Sequence, residues 1–207
     1  MKAIRYSIII VLVIIIAWES VYIKKLDEVK AARSAKTFNA SAYAEKFWKE
    51  KLVPNLDKAI TLDTLVDLLR KDTVKTFDAY SHALGIGNLR YFLVKGKGTI
   101  TSINEDDIQV TTQPSNIPFT LATEYIFGNA VRDASGYIDI NEFSNTMDFN
   151  NVSAELNKLV RQKVLAPFKA NMKKGKTMEF VGAIELNREH PDLDHIEVIP
   201  VKLSLRE

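Results

Sequence analysis

An unbroken apolar run near the N-terminus constrains the fold of this chain more than any other feature. Residues 8–18 are all apolar, and the stretch 6–23 around them contains Glu19 as its only charged residue. A surface helix of a globular domain keeps a polar face, and this run has none. Its length approaches the ~20 residues that a membrane-spanning helix needs. The sequence therefore predicts a single membrane helix at residues 6–23.

The charges around the run predict its orientation. Lys2 and Arg5 precede it, and positive residues favour the cytoplasmic side of a membrane helix. A cleaved signal peptide is the alternative interpretation, although no small-x-small cleavage site follows the run. We expect residues 1–30 to form a signal anchor with a juxtamembrane spacer, and residues 31–207 to form an extracytoplasmic, periplasmic domain. The protein would then be a single-pass protein of the cell membrane.

Charge and cysteine content exclude several classes of function. The formal net charge is +2, whereas proteins that bind nucleic acid usually carry a strong excess of basic residues. The chain has no cysteine, which rules out disulfides, cysteine-ligated metals and thiol nucleophiles. Its sequence contains no phosphate-binding loop, dinucleotide fingerprint or nucleophile elbow. We therefore predict no cofactor and no nucleic-acid partner.

The spacing of apolar residues predicts helices first and strands later. Helical spacing occurs in three segments, 41–54, 61–84 and 153–168. The first of these predicted helices has Ser41 as its N-cap and ends at Pro54. Alternating or β-branched residues predict extended structure at 89–112, with a polar turn at 104–107, and at 119–127, 136–140, 177–184 and 198–205. Even-numbered residues from Met178 to Ile184 should share one face, as should odd-numbered residues from Ile199 to Leu205.

Three short matches in the same order indicate a weak internal repeat. They pair 38–54 with 149–167, 95–103 with 174–184, and 107–110 with 195–198. Each copy would be a helix followed by a β-hairpin, and the second predicted helix would enlarge the first copy. Small antiparallel units covered by a helix are typical of OB-like barrels. The predicted fold class is therefore α+β, with duplicated OB-like units, packed helices and possible sub-units at 38–115 and 116–207.

Residues 133–143, DASGYIDINEF, resemble the second half of a calcium-binding EF-hand loop. With Gly136 at the sixth loop position, the residues Asp133, Asp139 and Glu142 fall at ligand positions. The first position is Val131, however, whose side chain has no oxygen to offer. The segment before the loop lacks the pattern of an amphipathic helix. We interpret the segment as a turn between strands, and we predict no metal site there.

A second polar cluster occurs at residues 189–195, EHPDLDH. His190, His195, Asp192 and Asp194 are residue types that bind zinc or copper. A polar loop between two strands is the more common role of such a proline-containing segment. We therefore predict a loop and no metal.

Several segments together resemble a known family. They are 38–54, 91–100, 127–134, 140–149 and 156–167. In that order they resemble the predicted periplasmic lipoproteins of domain-of-unknown-function family 2291. The resemblance implies an OB-related β protein with helices, whose genes often lie beside sugar transporters of the ATP-binding-cassette type. It implies an accessory role in sugar uptake without an established activity. Such lipoproteins carry an acylated cysteine, which this chain lacks, so the helix at 6–23 would replace the lipid.

The predicted function is that of a membrane-anchored binding or interaction protein that contacts transporter components or a small solute. The candidate ligand-binding residues are polar or aromatic and lie beside predicted turns: Arg132, Asp133, Asn141, Phe143 and Asn145. The alternative is structural, with Arg132 and Asp133 as an ion pair and the two asparagines as caps. A second hypothesis is a carbohydrate-active enzyme of the envelope that uses paired carboxylates such as Asp139 and Glu142.

Overall fold

The computed structural model of the chain describes Tyr6 and residues 38–206. Within this part, no helix is both long enough and apolar enough to cross a bilayer. The membrane helix predicted at 6–23 lies outside the described residues, Tyr6 excepted. Residues Asn39–Glu207 cluster as one compact unit.

Helical segments and strands are interspersed along the described chain. The helices are α1 (Ala40–Phe47), α2 (Leu62–Lys71), α3 (Thr73–Tyr80), α4 (Ala130–Asp133), α5 (Thr146–Leu159) and α6 (Ala166–Lys169). π-Helical turns follow α1 at Trp48–Leu52 and α5 at Val160–Leu165, and 3-10 turns occur at Val53–Lys58 and Ile140–Glu142. The strands are β1 (Ile60–Thr61), β2 (Leu89–Ile103), β3 (Asp107–Thr112), β4 (Pro118–Ala122), β5 (Thr177–Asn187) and β6 (Glu197–Leu205).

Five of the strands close into a barrel. The order is β2-β3-β4-β6-β5, and the pairing of β2 with β5 closes the ring. All neighbours are antiparallel except β4 and β6, which are parallel, and β1 adds a short parallel edge to β2. The predicted α+β class and the OB-like barrel are confirmed. Both predicted hairpins lie in one barrel, however, so the described chain holds one barrel and not separate barrel units.

The barrel is filled by the inward-facing residues of each strand. In β5, Met178, Phe180 and Ile184 are buried, which confirms the predicted face. In β6 the prediction is wrong in its first half, because Val198 faces inward and Ile199 does not. A bulge opposite Val181 and Gly182 inserts one extra residue into β6. Such an insertion reverses the face of the residues that follow it. From Val201 onward the odd positions therefore do point toward the core.

Two glycines allow the hairpins to fold tightly. A Cβ atom on Gly98 would lie 2.6 Å from Cγ1 of Val110, and one on Gly182 would lie 2.5 Å from Cγ1 of Val198. Either contact is too short for any side chain, so both positions require glycine. In both hairpins, therefore, a glycine of the first strand lies in close contact with a valine of the second. Val110 and Val198 also end the matched segments 107–110 and 195–198 of the sequence repeat.

The helical boundaries differ from the predicted ones where side chains cap the backbone. The first helix begins at Asn39, whose side chain accepts from the N–H of Ala42, and not at Ser41. Helical structure also continues through Pro54, because a proline is tolerated near the start of a 3-10 turn. The predicted helix at 61–84 breaks at Asp72, which adopts an extended φ of −153° and caps α3 through the N–H of Lys75.

The last predicted helix is longer than its apolar spacing indicates. It begins after Asn145 and runs through α5, a π-turn and α6 to Lys169. The predicted strand at 136–140 is not present; that segment is irregular and leads into a 3-10 turn. Local turns replace the ladder here: the N–H of Tyr137 donates to the Ser135 hydroxyl, and the carbonyls of Asp139 and Ile140 accept from the N–H groups of Glu142 and Phe143.

Candidate functional site

The predicted ligand-binding pair Arg132 and Asp133 is a buried ion pair. Each side chain is 3% exposed, and Nε and Nη2 of Arg132 donate to the two carboxylate oxygens at 2.6 and 3.0 Å. Nη1 of Arg132 donates to the carbonyl of Phe149, and the guanidinium lies 3.4 Å from the centre of the Phe149 ring. Every polar group of the guanidinium therefore has a partner inside the protein. This geometry supports the structural alternative.

The other three predicted residues lie nearby and also support local structure. Asn145 caps α5: its side chain accepts from the N–H of Asp148 and donates to the carboxylate of Asp148, both at 2.8 Å. The side chain of Asn141 donates to Asp139. The ring of Phe143 packs edge-on against Tyr43 at a centroid distance of 5.1 Å. A ligand-binding role of these residues stays a prediction.

The segment that resembles an EF-hand is a turn after a short helix. Val131 is buried in α4, the carboxylate of Asp133 is engaged by Arg132, and that of Asp139 accepts from Asn141. Gly136 closes the turn with a φ of +69°, and its N–H donates to the carbonyl of Asp133. The turn follows α4 and does not join two strands as predicted, because the flanking segments are not strands.

A row of polar side chains crosses the outer face of the barrel. Ser102 on β2 is opposite Gln109 on β3, Gln109 is opposite Thr120 on β4, and Thr120 is opposite Glu197 on β6. Residues opposite each other in a ladder point to the same face of the sheet. The alternate residues of these strands, including Val110 and Leu121, are buried in the core. The fold thus aligns hydroxyl, amide and carboxylate groups from four strands.

Hydrogen bonds hold part of this row in place. Nε2 of Gln109 lies within 3.1 Å of the Thr120 hydroxyl and 3.0 Å of Oδ1 of Asp107. The same Oδ1 accepts from the side chain of Asn104, which precedes β3. Burial, and then the charges of Asp107 and Glu185, raise the pKa of Glu197 above its ordinary value. The face therefore offers hydrogen-bond acceptors in a setting that disfavours further negative charge.

Two exposed aromatic rings lie in the loop that follows β4. Tyr125 is 65% exposed and Phe127 is 69% exposed. Their rings stack on each other with centroids 6.2 Å apart and an interplanar angle of 23°. Ile126 between them is buried and anchors the loop. Large aromatic side chains in solvent lose the stabilisation that their burial would give. An exposed pair of stacked rings is therefore a candidate binding surface.

Hydrogen bonds from two sides fix the backbone of this aromatic loop. At its start, the N–H groups of Thr123 and Glu124 donate to the carbonyl of Asp106, so the loop lies against the turn before β3. At its end, side chains spaced four residues apart on the last long helix bind it: Arg161 donates to the carbonyl of Ile126, Asn157 to that of Gly128, and Ser153 to the side chain of Asn129. The rings are therefore presented by a rigid segment.

The polar row and the aromatic loop together match the chemistry of sugars. A sugar ring has C–H faces that pack on aromatic rings and hydroxyl groups that donate to carboxylates and amides. Asp107 and Glu197 carry carboxylates on these strands, and Glu105 and Asp106 occupy the turn before β3; such charges repel phosphate groups.

Sequence reasoning missed this site although parts of its signal are visible. Residues 107–112 and 118–122 alternate polar and apolar side chains, which predicts a polar outer face. The pairing of these strands with β6 is non-local and could not be inferred from spacing. The sequence predicts Tyr125 and Phe127 as part of the extended segment at 119–127. Their exposure depends on the helix residues that fix the loop, and the apolar spacing does not identify these residues.

A separate groove of about 720 Å³ lies on another part of the barrel surface, beside the start of α2. Its walls carry both signs of charge, among them Lys95, Lys202, Asp63 and Asp67.

The loop at 189–195 joins β5 to β6, and in it Nδ1 of His195 lies 2.9 Å from the carboxylate of Asp192. Among the residues that the structure describes, no group of three or more ligands could hold a metal ion.

The barrel order, with its single parallel pair, is that of an OB-fold, a class whose second and third strands and adjoining loops bind oligonucleotides or oligosaccharides. The crystal structure of an OB-fold protein from Thermotoga maritima is similar: its TM-score is 0.72 at 26% sequence identity, over 83% of this chain and all of that chain. No curated protein matches the sequence.

Residues 11–204 match the family described as predicted periplasmic lipoprotein (DUF2291), and the chain belongs to this family. The predicted family resemblance is therefore confirmed. The family description concerns the periplasm and a lipoprotein, and it states no activity.

Proposed function

We propose that this protein is an extracytoplasmic carbohydrate-binding module that is held at the membrane and serves a sugar uptake system. The observation that carries the proposal is the combination of the polar row Gln109–Thr120–Glu197 with the stacked rings of Tyr125 and Phe127, whose loop packs against the turn before β3. Membership in a family of predicted periplasmic proteins supports the location. A partner among transporter components would receive the sugar or sense its presence.

Membrane attachment through residues 6–23 is part of the same proposal. The apolar run supports it, and the absence of cysteine from the sequence means that the usual lipid acceptor of lipoproteins is not available here. Alkaline extraction of membranes tests the attachment. The full chain should stay in the membrane pellet, and replacement of Ile10 and Ile14 by lysine should release it. Release of the unmodified chain would contradict single-pass anchoring.

Sugar binding is tested by thermal melting of the full chain in mild detergent with a panel of neutral mono- and oligosaccharides. A ligand at 100 times its dissociation constant raises the free energy of unfolding by about 2.7 kcal/mol, which shifts the midpoint by roughly 5–11 °C for a domain of this size. The double variant Tyr125→Ala/Phe127→Ala should lose about 1–3 kcal/mol of binding, or roughly 5- to 150-fold in affinity.

Matched controls distinguish a sugar site from a nonspecific aromatic surface and from a cation site. Tyr80→Ala removes a half-exposed aromatic ring from α3 and should leave binding unchanged. Sugar affinity should also vary little with salt, whereas a cationic ligand attracted by Asp107 and Glu197 would lose affinity steeply as salt rises. Binding of a polyamine without binding of any sugar would refute the carbohydrate proposal. It would indicate that the acidic face binds cations.

The enzyme hypothesis receives no comparable support. Both carboxylates that it names serve local structure, since Asp139 accepts from the backbone N–H of Asn141 and Glu142 accepts from the hydroxyl of Tyr43 at 2.7 Å. The geometry favours binding over hydrolysis.

We also propose that the barrel arose by duplication of a helix-plus-hairpin unit. The equivalent close approaches at Gly98 and Gly182 and the π-turns after α1 and α5 support this origin.

A further inference from the structure

A groove of about 610 Å³ runs along β6. It is lined by the five consecutive residues Val201–Leu205 of this strand. Neighbouring residues of a strand point to opposite faces, so a cavity on one face would contact only alternate residues. Contact with all five means that the groove follows the edge of the strand. Its opposite wall is formed by residues of the two π-helical regions and the segments that follow them.

The edge of β6 in this groove has no neighbouring strand in the described part of the chain. The pairing of β6 with β4 is confined to Glu197 and Val198, and the residues beyond it pair with β5 alone. The N–H of Arg206 donates to the carbonyl of Thr177, so these two opposite residues form a hydrogen-bonded pair of the ladder. Hydrogen-bonded and non-hydrogen-bonded pairs alternate along antiparallel strands. The backbone groups of Leu203 and Leu205 therefore point away from β5 and into the groove.

The side-chain lining of the groove is apolar with a basic rim. Trp48, Val53, Val164 and Phe168 are among its apolar residues, and Val53 remains 44% exposed. Lys202 lines the groove as well, and so does Lys163, whose Nζ already pairs with the carboxylate of Glu45 at 2.6 Å; no described aspartate or glutamate is among the lining residues. An unpaired strand edge beside an apolar groove is the arrangement that binds an extended peptide as an additional strand. The charge of Lys202 would favour a carboxylate beside the apolar positions of that peptide.

We propose that β6 is a docking edge for an extended, apolar segment of a partner protein whose flanks are acidic. The segment forms backbone hydrogen bonds with Leu203 and Leu205, and its apolar side chains enter the groove beside Val53. A carboxylate on its flank pairs with Lys202. This site is distinct from the sugar face, since it uses the free edge of β6 and not the polar row.

The charge of the edge opposes the simplest alternative, a second copy of this chain. Two copies that paired through β6 would bring Lys202 of one copy near Lys202 of the other. Like charges placed opposite each other destabilise a strand pair. Pro200, which has no N–H to donate, also limits the length of edge that a second β6 could pair with. An acidic partner avoids the like-charge contact and brings no second proline to the pairing.

The probes are two synthetic peptides that alternate valine with threonine, one flanked by glutamates and the other by lysines. The full chain is titrated with each in mild detergent, and hydrogen exchange of the Leu203 and Leu205 amides is followed. The glutamate-flanked peptide should bind at least about tenfold more tightly and should protect both amides. Val53→Glu should weaken its binding by at least about tenfold. Val74→Glu, at a valine 61% exposed on α3, should leave it unchanged.

Leu205→Pro provides a second variant that removes one outward N–H while leaving the bonds to β5 in place. It should weaken the glutamate-flanked peptide without loss of the folded state by circular dichroism. Equal binding of both peptides, or binding without protection of the two amides, would overturn the proposal. Protection that instead grows with protein concentration in the absence of peptide would overturn it in favour of a second copy.

Discussion

Replacing Arg132 by alanine should destabilise the protein strongly, because Asp133 would be left as a buried charge without a partner. Both side chains are 3% exposed, so solvent screening does not reduce the effect. Removal of one partner of a buried ion pair costs about 3–5 kcal/mol. The lost contact between the guanidinium and the Phe149 ring adds to this cost. The total is a large part of the ~5–15 kcal/mol that stabilises a typical domain.

The effect is measured by thermal melting of the full chain in detergent, followed by near-ultraviolet circular dichroism. For a domain of this size, 3–5 kcal/mol corresponds to a decrease in melting temperature of about 6–20 °C. The double variant Arg132→Met/Asp133→Leu should recover much of the loss, since an apolar pair leaves no buried charge. A decrease below about 2 °C for Arg132→Ala, together with lost sugar binding, would refute the structural role and restore Arg132 as a ligand-binding residue.

Three further predictions follow from local geometry. Gly136→Ala should lower the free energy of unfolding by about 1–3 kcal/mol in thermal melts, because its φ is +69° and the new Cβ would lie 2.5 Å from the His82 ring. Asn145→Ala should cost about 1 kcal/mol in the same assay, since it removes the N-cap of α5, whereas Asn145→Ser, which keeps both a donor and an acceptor, should retain most of the stability. Burial and nearby carboxylates raise the pKa of Tyr91 to about 12, so stability should be complete below pH 10 and fall between pH 10 and 12, a decrease that Tyr91→Phe should reduce.

The sequence predicts the inward face of β5 because the large apolar residues Met178, Phe180 and Ile184 recur at even positions, and all three are buried. The same rule is wrong for Ile199, because the bulge at Val201 depends on how tightly Gly182 lets the two strands cross. Periodicity reports which residues are apolar and carries no information on such a crossing. Helix ends were misplaced for a similar reason, since Asn39 and Asp72 act through side-chain caps that compete with apolar spacing.

The candidate site was less predictable than the fold. The sequence predicts a ligand-binding site at the clustered polar residues around Arg132. In the structure, these polar side chains bond to neighbouring groups of the protein. The residues that face outward together, Gln109, Thr120 and Glu197, are distant in the chain and meet only through strand pairing. A single sequence shows the alternation of each strand but not which strands become neighbours.

Binding of a sugar to the outer face of the barrel is the central claim, and amide resonance mapping of the full chain in detergent tests it most directly. Titration with the sugar that gives the largest thermal shift should move the resonances of Gln109, Thr120 and Tyr125 and leave those around Asp67 and Leu205 unchanged. Shifts confined to the groove beside Asp67, or no shifts with any sugar of the panel, would contradict the claim.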